Sequence, residues 1–262
     1  MKKVAILIPV YQSDITFHEE ISFRQCLKVL HNYDIYIITY RELQTTLYDS
    51  ICNEYSANVQ YKYFSKDYFK SISSYNKLCL NKKLYISFKE YEYILIYQLD
   101  AWVFYDRLTY WCNKNYDYIG APWFEEYGSH EEGKKLWAVG NGGLSLRKVK
   151  YFTKILSWKL PIIKPKLKNI LNIHFLLFYL GRHNTISFYN KSINTNEDYF
   201  FSQYLSQSWF PPSVPNCDEA LYFSFEKSPS YLFIKARHQL PFGCHAYLKN
   251  EYDTFWHKYI KL

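Results

Sequence analysis

The chain contains no CxxC pair: Cys26, Cys52, Cys79, Cys112, Cys217 and Cys244 are scattered, the usage of a protein that keeps its thiols reduced. No apolar stretch approaches the ~20 residues that span a bilayer, so no integral membrane segment is predicted. The Met1-Lys2-Lys3 start runs into a strand rather than a secretory leader, and the expected location is the cytoplasm. Internal repeats, low-complexity tracts and a clear interdomain linker are also missing. The basic residues do not gather into an arginine-rich stripe, which counts against nucleic acid as a partner.

What the chain has in excess is aromatic rings. Aromatics make up 21% of the residues, with 29 Tyr and 7 Trp among 262. Many of these rings must lie at the surface or line a cleft, where a flat apolar face with a polar edge suits stacking on sugars and bases. Compositional drift toward Tyr, Asn, Lys and Ile accounts for them equally well. The net charge of +8 points to an anionic partner without choosing among nucleotide, lipid and nucleic acid.

Val4-Ala5-Ile6-Leu7-Ile8-Pro9 is a short apolar run closed by proline, the pattern of a buried parallel strand opening into a loop. Residues 17–30 carry Phe17, Ile21, Leu27 and Leu30 at helical spacing, residues 35–38 form a second strand, and residues 59–64 alternate as a third. Such a β-α-β opening predicts a right-handed crossover and a largely parallel sheet. Residues 71–80 and 81–90 read as helices leading to a strand over 93–99. Residues 116–123 read as a short strand followed by a Gly/Pro turn, and the charged, glycine-containing segment 125–135 as a mobile surface loop. Lys159, Lys164, Lys166 and Lys168 precede an apolar run over 170–180. That combination fits an interfacial helix on an anionic membrane, and equally a core helix with a solvated lysine face.

Four features carry chemistry. An apolar and aromatic run over 91–98, with Glu92 its one charge, leads through Leu99 to Asp100. A charge abutting a buried strand is costly unless a positive group stands beside it, and the strand-end crevice of an α/β sheet is where nucleotides and metals bind. The plainer reading is a carboxylate that caps the next turn. Gly140-Asn141-Gly142-Gly143-Leu144-Ser145-Leu146-Arg147 is a glycine-rich turn that lets backbone approach a ligand, yet it lacks both the GxGxxG pattern and the Lys-Ser/Thr end of a P-loop. Asn196-Glu197-Asp198 opens a helix, where its two acids either complement the helix dipole or supply one proton acceptor to a cleft. His245 closes a Pro/Gly-shaped loop, either completing a divalent metal site or simply hydrogen-bonded there.

Taken in order, the strand-end acid, glycine-rich turn, acidic pair and late histidine resemble GT-A glycosyltransferases. Closer still is a bacterial family of uncharacterised, glycosyltransferase-like domains. The resemblance rests on residues 4–11, 91–104, 116–123, 140–147, 196–200 and 240–245, and leaves out the insert at about 159–191. It implies an α/β fold: a single GT-A-like, Rossmann-like domain over 1–262, with a mixed, mostly parallel central sheet flanked by helices. Residues 1–105 would form the nucleotide-binding half and 106–262 the acceptor-binding half. In GT-A enzymes the strand ends in a DxD motif whose last acid holds the metal bound to the donor diphosphate. Here the sequence is Gln98-Leu99-Asp100, with one acid of that motif.

By the same resemblance, Asp100 and His245 would hold Mn or Mg, Asp198 would be the base of an inverting displacement, and Glu197 would be its close second. Pro9, Tyr11, Tyr75, Asn76, Gln98, Asp100, Asn141, Gly142 and Gly143 would bind the nucleotide-sugar, with Tyr11 against the uracil of a UDP-sugar and Tyr75 and Asn76 near the nucleoside. Trp102 and Trp123 would stack on sugar. The implied activity is hexosyl transfer to a glycan or lipid-linked acceptor in surface polysaccharide synthesis, at the inner face of the cell membrane. The rivals are a retaining enzyme of the same fold and an inactive carbohydrate- or lipid-binding module. A nucleotidyltransferase would need a glycine-rich, lysine-containing loop after the first strand, where this chain has Tyr11-Gln12-Ser13-Asp14.

Overall fold

A computed structural model describes residues 1–55, 57, 59–164, 177, 184–192 and 196–262. Its centre is a six-stranded sheet in the order β3-β2-β1-β4-β9-β6. These strands are β1 (Lys2–Pro9), β2 (Asp34–Thr39), β3 (Val59–Tyr63), β4 (Tyr91–Tyr97), β6 (Tyr118–Ile119) and β9 (Leu144–Lys148). The first four run parallel, and β9 is antiparallel to both β4 and β6. The sheet is therefore mixed and mostly parallel, as the alternating strand and helix patterns predict.

Along β1, Val4, Ile6 and Ile8 enter one apolar cluster while Ala5 and Leu7 enter another on the opposite face. Side chains alternate across a strand, so burial on both faces demands an unbroken apolar run. Helix α1 (Phe17–Leu30) covers the first face with Phe23, Cys26, Leu27 and Leu30, each large side chain contributing roughly 1.5 to 3 kcal/mol by its burial. Its start is fixed by a capping box in which the Thr16 side chain accepts from the Glu19 amide and the Glu19 carboxylate accepts from the Thr16 amide. Helices α2 (Thr46–Asn53) and α5 (Leu108–Asn113) share that face. On the other side lie α3 (Ile72–Cys79), α4 (Lys82–Ile86), α6 (Val149–Leu156) and α7 (Ile186–Ser192).

Two smaller sheets flank the centre. One has the order β10-β11-β5, from β5 (Ala101–Val103), β10 (Ser224–Phe225) and β11 (Gly243–His245). The other pairs β7 (Ala121–Phe124) with β8 (Leu136–Gly140). The remaining helices are α8 (Glu197–Tyr199), α9 (Cys217–Ala220) and α10 (Pro229–Lys235).

Several boundaries differ from expectation. The second of the helices expected over 71–90 is only the single turn α4, because the chain leaves it at Ser87 to bury Phe88 edge-on against Tyr36, with ring centroids 5.0 Å apart. The short strand and Gly/Pro turn expected over 116–123 are two strands in different sheets, with Gly120 at the break. A Cβ there would sit 2.7 Å from the Asn141 nitrogen, so only glycine allows that approach. Pro122 lies inside β7, paired with Val139 rather than in a turn. The segment expected as a loop around 125–135 is tied to residues 227–231: the Lys227 ammonium donates to the Tyr127 carbonyl, the His130 amide donates to Ser228 Oγ at 3.0 Å, and the His130 ring stacks on Tyr231 at 3.6 Å. Lys166, Lys168 and nearly all of the apolar run 170–180 lie outside the described residues. Among the described residues no helix is long and apolar enough to cross a membrane.

Candidate functional site

Asp100 stands in the turn that leaves β4 at the carboxyl end of the parallel strands, where the Ala101 amide donates to the Gln98 carbonyl at 2.9 Å. The turn is pinned from below. Ser22 Oγ of α1 and the Tyr97 hydroxyl both donate to the Ala101 carbonyl, at 2.6 and 3.0 Å. On its flank the Gln98 amide donates to the Gly143 carbonyl at 2.8 Å, drawing the glycine-rich turn against the strand end.

Sheet register brings His245 here. β11 runs antiparallel to β5 with His245 opposite Ala101, and the Ala246 amide donates to the Asp100 carbonyl at 2.9 Å. As a result His245 Nε2 lies 3.0 Å from Asp100 Oδ1. The ring's other nitrogen, Nδ1, lies 3.2 Å from Glu226 Oε1. β10 is parallel to β11 with Phe225 beside Cys244, so Glu226, the next residue, falls beside His245. One three-stranded sheet thus aligns Asp100, His245 and Glu226 in a row.

The charges follow from that row. Burial alone would raise the Asp100 carboxyl, but His245 and the Lys249 ammonium at 3.9 Å outweigh it and hold it below its ordinary value. Burial would lower His245, and the two carboxylates overcome it, lifting the imidazole to about 10. Set between two carboxylates, the imidazole favours its charged form.

The glycine-rich turn connects β8 to β9. Asn141 Oδ1 accepts from the Gly143 and Leu144 amides at 2.7 and 2.9 Å, and the Asn141 amide and carbonyl both bond the Tyr118 hydroxyl. Its Nδ2 is buried with no hydrogen-bond partner among the described residues. The glycines are required by the protein's own side chains. A Cβ on Gly140 would lie 2.2 Å from the Trp123 ring, one on Gly142 3.1 Å from Glu197 Oε1, and one on Gly143 2.0 Å from His245 Nε2. A side chain at Gly143 is excluded by His245, and one at Gly142 would be crowded by Glu197.

Glu197 and Asp198 share the short helix α8 but not an environment. Glu197 Oε1 accepts from Arg147 Nη2 at 2.8 Å in a fully buried pair. Arg147 also donates to Ser145 Oγ and the Tyr85 hydroxyl and lies over the Tyr118 and Phe201 rings. An acid held this way is structural, so Glu197 as a reserve base is corrected. Asp198 is half-buried, and burial with the nearby Glu197 and Glu226 carboxylates raises it to about 7, against the Tyr199 amide and Arg147. It lines a cleft of about 300 Å³ with Trp123, Tyr127, Asn196, Tyr199 and Glu226. Glu226 therefore belongs both to the Asp100 row and to the Asp198 cleft.

The other expected residues divide. Pro9 is buried at the end of β1, while the Tyr11 ring is 55% exposed, its hydroxyl raised by burial and by the Glu19 and Asp100 charges. Asn76 Nδ2 donates to Asn196 Oδ1 at 3.2 Å, joining α3 to the cleft. Tyr75 is corrected: its hydroxyl is interior, beside Cys79, Arg147 and Glu197, rather than at a nucleoside. Trp102 is corrected as well, since β5 turns its ring away from the cleft into the cluster of Phe225, Tyr247 and Trp256, edge-on to Tyr247 at 6.0 Å. Trp123 forms cleft wall against Gly140 and Tyr127. Glu226 is absent from the sequence expectations. Its signal was a short apolar run, Tyr222-Phe223-Ser224-Phe225, ending on a lone acid as the run before Asp100 does.

As to a divalent cation, the donor set fits. An octahedral ion with ligands about 2.1 Å away separates adjacent ligands by about 3.0 Å, the Asp100 to His245 spacing. Among the described residues no third acid, histidine or cysteine joins them as a cluster. Such an ion would draw its other ligands from water and phosphate oxygens, as Mg commonly does.

The architecture is that of the GT-A-type glycosyltransferases. An active-site mutant of LgtC superposes at TM-score 0.52 with 11% identity, covering 92% of this chain and 86% of that one, and this shows the fold. Also similar are mouse xyloside xylosyltransferase 1 (TM-score 0.48, 10% identity, 93% and 97% covered) and the Mn/GDP form of core-mannan synthase A from Aspergillus fumigatus. The latter has TM-score 0.41 and 9% identity, over 60% of this chain and 63% of that one. The chain itself belongs to DUF5672, described as a protein family of unknown function, which matches residues 58–245. That span includes Asp100, Asp198, Glu226 and His245. Curated proteins give no match.

Proposed function

We propose that the protein is a glycosyltransferase that moves a sugar from a nucleoside diphosphate donor, a UDP-sugar in the simplest case, to a hydroxyl acceptor with inversion at the anomeric carbon. The observation that carries the reading is the approach of His245 to Asp100 at the carboxyl end of a parallel sheet, beside a cleft lined by Asp198. Asp100 and His245 would hold a divalent cation, which when bound supplies charge neutralisation to the donor diphosphate. Lys249, 3.9 Å from Asp100, is placed to meet the negative charge that grows on the leaving phosphate. Tyr11 offers an exposed ring to the base from the end of β1.

Asp198 would take the proton of the acceptor hydroxyl as that oxygen attacks. A carboxylate raised to about 7 is well matched to this task, ionised in useful proportion at neutral pH and basic enough to draw the proton. Residues 1–105 would serve the donor and 106–262 the acceptor. A glycan or lipid-linked acceptor at the cytoplasmic face of a membrane, with the product serving surface polysaccharide, remains part of the proposal.

The test incubates the purified protein with a panel of nucleotide sugars and Mn, comparing wild type with Asp100→Ala and Asp198→Ala. Wild-type donor turnover that falls about 10³-fold in each variant is expected. Equal background in all three would overturn the reading. NMR of the product anomer then separates inversion from retention.

A further inference from the structure

We infer that Glu226 is a positioning residue for the cation site: it anchors His245 through Nδ1, so that Nε2 is presented to the same point in space as the Asp100 carboxylate. The inference rests on the proposed cation site and adds to it a residue that does not touch the ion.

Three observations carry it. The row Asp100, His245, Glu226 is set by sheet register: His245 pairs with Ala101, and Asp100 and Glu226 stand one residue beyond the paired ends of β5 and β10. The imidazole is clamped at both nitrogens, Nδ1 at 3.2 Å from Glu226 Oε1 and Nε2 at 3.0 Å from Asp100 Oδ1. The third side of the ring meets Gly143, where there is no room even for a methyl group.

Chemistry assigns the proton. A neutral imidazole has one N–H and one lone pair, and a carboxylate only accepts. A ring that gives its Nε2 lone pair to a cation keeps its proton on Nδ1, where Glu226 Oε1 stands 3.2 Å away to accept it. Glu226 thereby selects the tautomer that can ligate and holds the ring where a shared ion fits, the arrangement in which a carboxylate behind a histidine strengthens metal binding by roughly 10- to 100-fold. Glu226 also lines the cleft of Asp198, so the two sites share this one side chain.

The experiment titrates Mn²⁺ into the full chain in the presence of UDP, followed by calorimetry, for wild type, Asp100→Ala, Glu226→Ala and Glu226→Gln. Thermal unfolding of each protein monitors folding. The expected result is loss of Mn²⁺ binding in Asp100→Ala, a roughly 10-fold or larger weakening in Glu226→Ala, and near wild-type affinity in Glu226→Gln, whose amide oxygen still accepts from Nδ1–H. Nitrogen-15 NMR of the Mg²⁺- and UDP-loaded wild type supplies a readout that needs no variant, and is expected to show His245 protonated at Nδ1. Wild-type affinity in Glu226→Ala together with loss in Asp100→Ala would overturn the role of Glu226 and leave the cation site standing, as would an Nε2-protonated ring. A wild type that binds no Mn²⁺ with UDP would overturn the cation site and this inference with it.

Discussion

The two acids on either side of Glu226 are set by opposite means. At the sheet edge, Asp100 lies beside His245 and Lys249 and is held ionised below its ordinary range. Across Glu226, Asp198 lies beside Glu197 and Glu226 and is pushed up to about 7. The same functional group becomes a fixed anion at one end and a proton acceptor at the other, according to its neighbours. Within α8 the contrast repeats over one residue, for Glu197 has a buried arginine and Asp198 has none. Pairing decides which carboxylate is structural and which is free for chemistry.

The largest effect expected from breaking this division is at the paired acid. Arg147→Met strands Glu197 as an uncompensated buried charge and should cost about 3 to 5 kcal/mol, lowering Tm by roughly 10 °C. Adding Glu197→Gln should recover much of that loss. A single variant that melts within about 2 °C of wild type would mean that the pair does not hold α8 in place.

The next effect concerns Asp198 and pH. Its folded value of about 7 stands above the ordinary 3.8, so its protonated form stabilises the native state fully below about pH 4, and that contribution is lost as pH rises toward 7. Asp198→Asn cannot ionise, so its advantage over wild type should grow across that window and level off above it, reaching roughly 2 to 4 kcal/mol. Thermal melts at pH 4.5 and pH 8 check this, and an advantage that is the same at both would contradict the raised value. Wild-type turnover should rise with pH through about 7 as Asp198 becomes available as a base.

A smaller effect sharpens the Asp100 end. Gly143→Ala places a methyl group where the His245 ring lies and should cost roughly 1 to 3 kcal/mol by overpacking. It should also weaken Mn²⁺ binding, measured by calorimetry, while leaving the Asp198 melt profile unchanged. Unaltered Mn²⁺ affinity would show that His245 is not held by this turn.

The frame of this contrast was legible in the sequence, and the pairings were not. The apolar run of β1, the helical spacing of α1 and the run ending at Asp100 carry their structures locally, because strand burial and helix periodicity depend on neighbours a few residues away. Which acid of Glu197-Asp198 is neutralised depends on Arg147, fifty residues earlier in the chain and reached only through β9. Adjacent helical residues point about 100° apart, and the sequence does not say which of them faces the arginine. Trp102 was misjudged for the same reason, since the three-residue strand β5 is too short for alternation to assign its faces. Glu226 belongs to no motif; only the register of β10 on β11 sets it beside His245.

The central claim, that Asp100 and His245 together take one divalent cation on a nucleoside diphosphate, is tested most directly by a crystal of the protein with UDP and Mn, read by anomalous difference density. The account predicts a single Mn peak about 2.1 to 2.3 Å from an Asp100 oxygen and from His245 Nε2, with a phosphate oxygen on its open side. UDP bound with no peak between these two side chains, or with Mn held elsewhere, would contradict it.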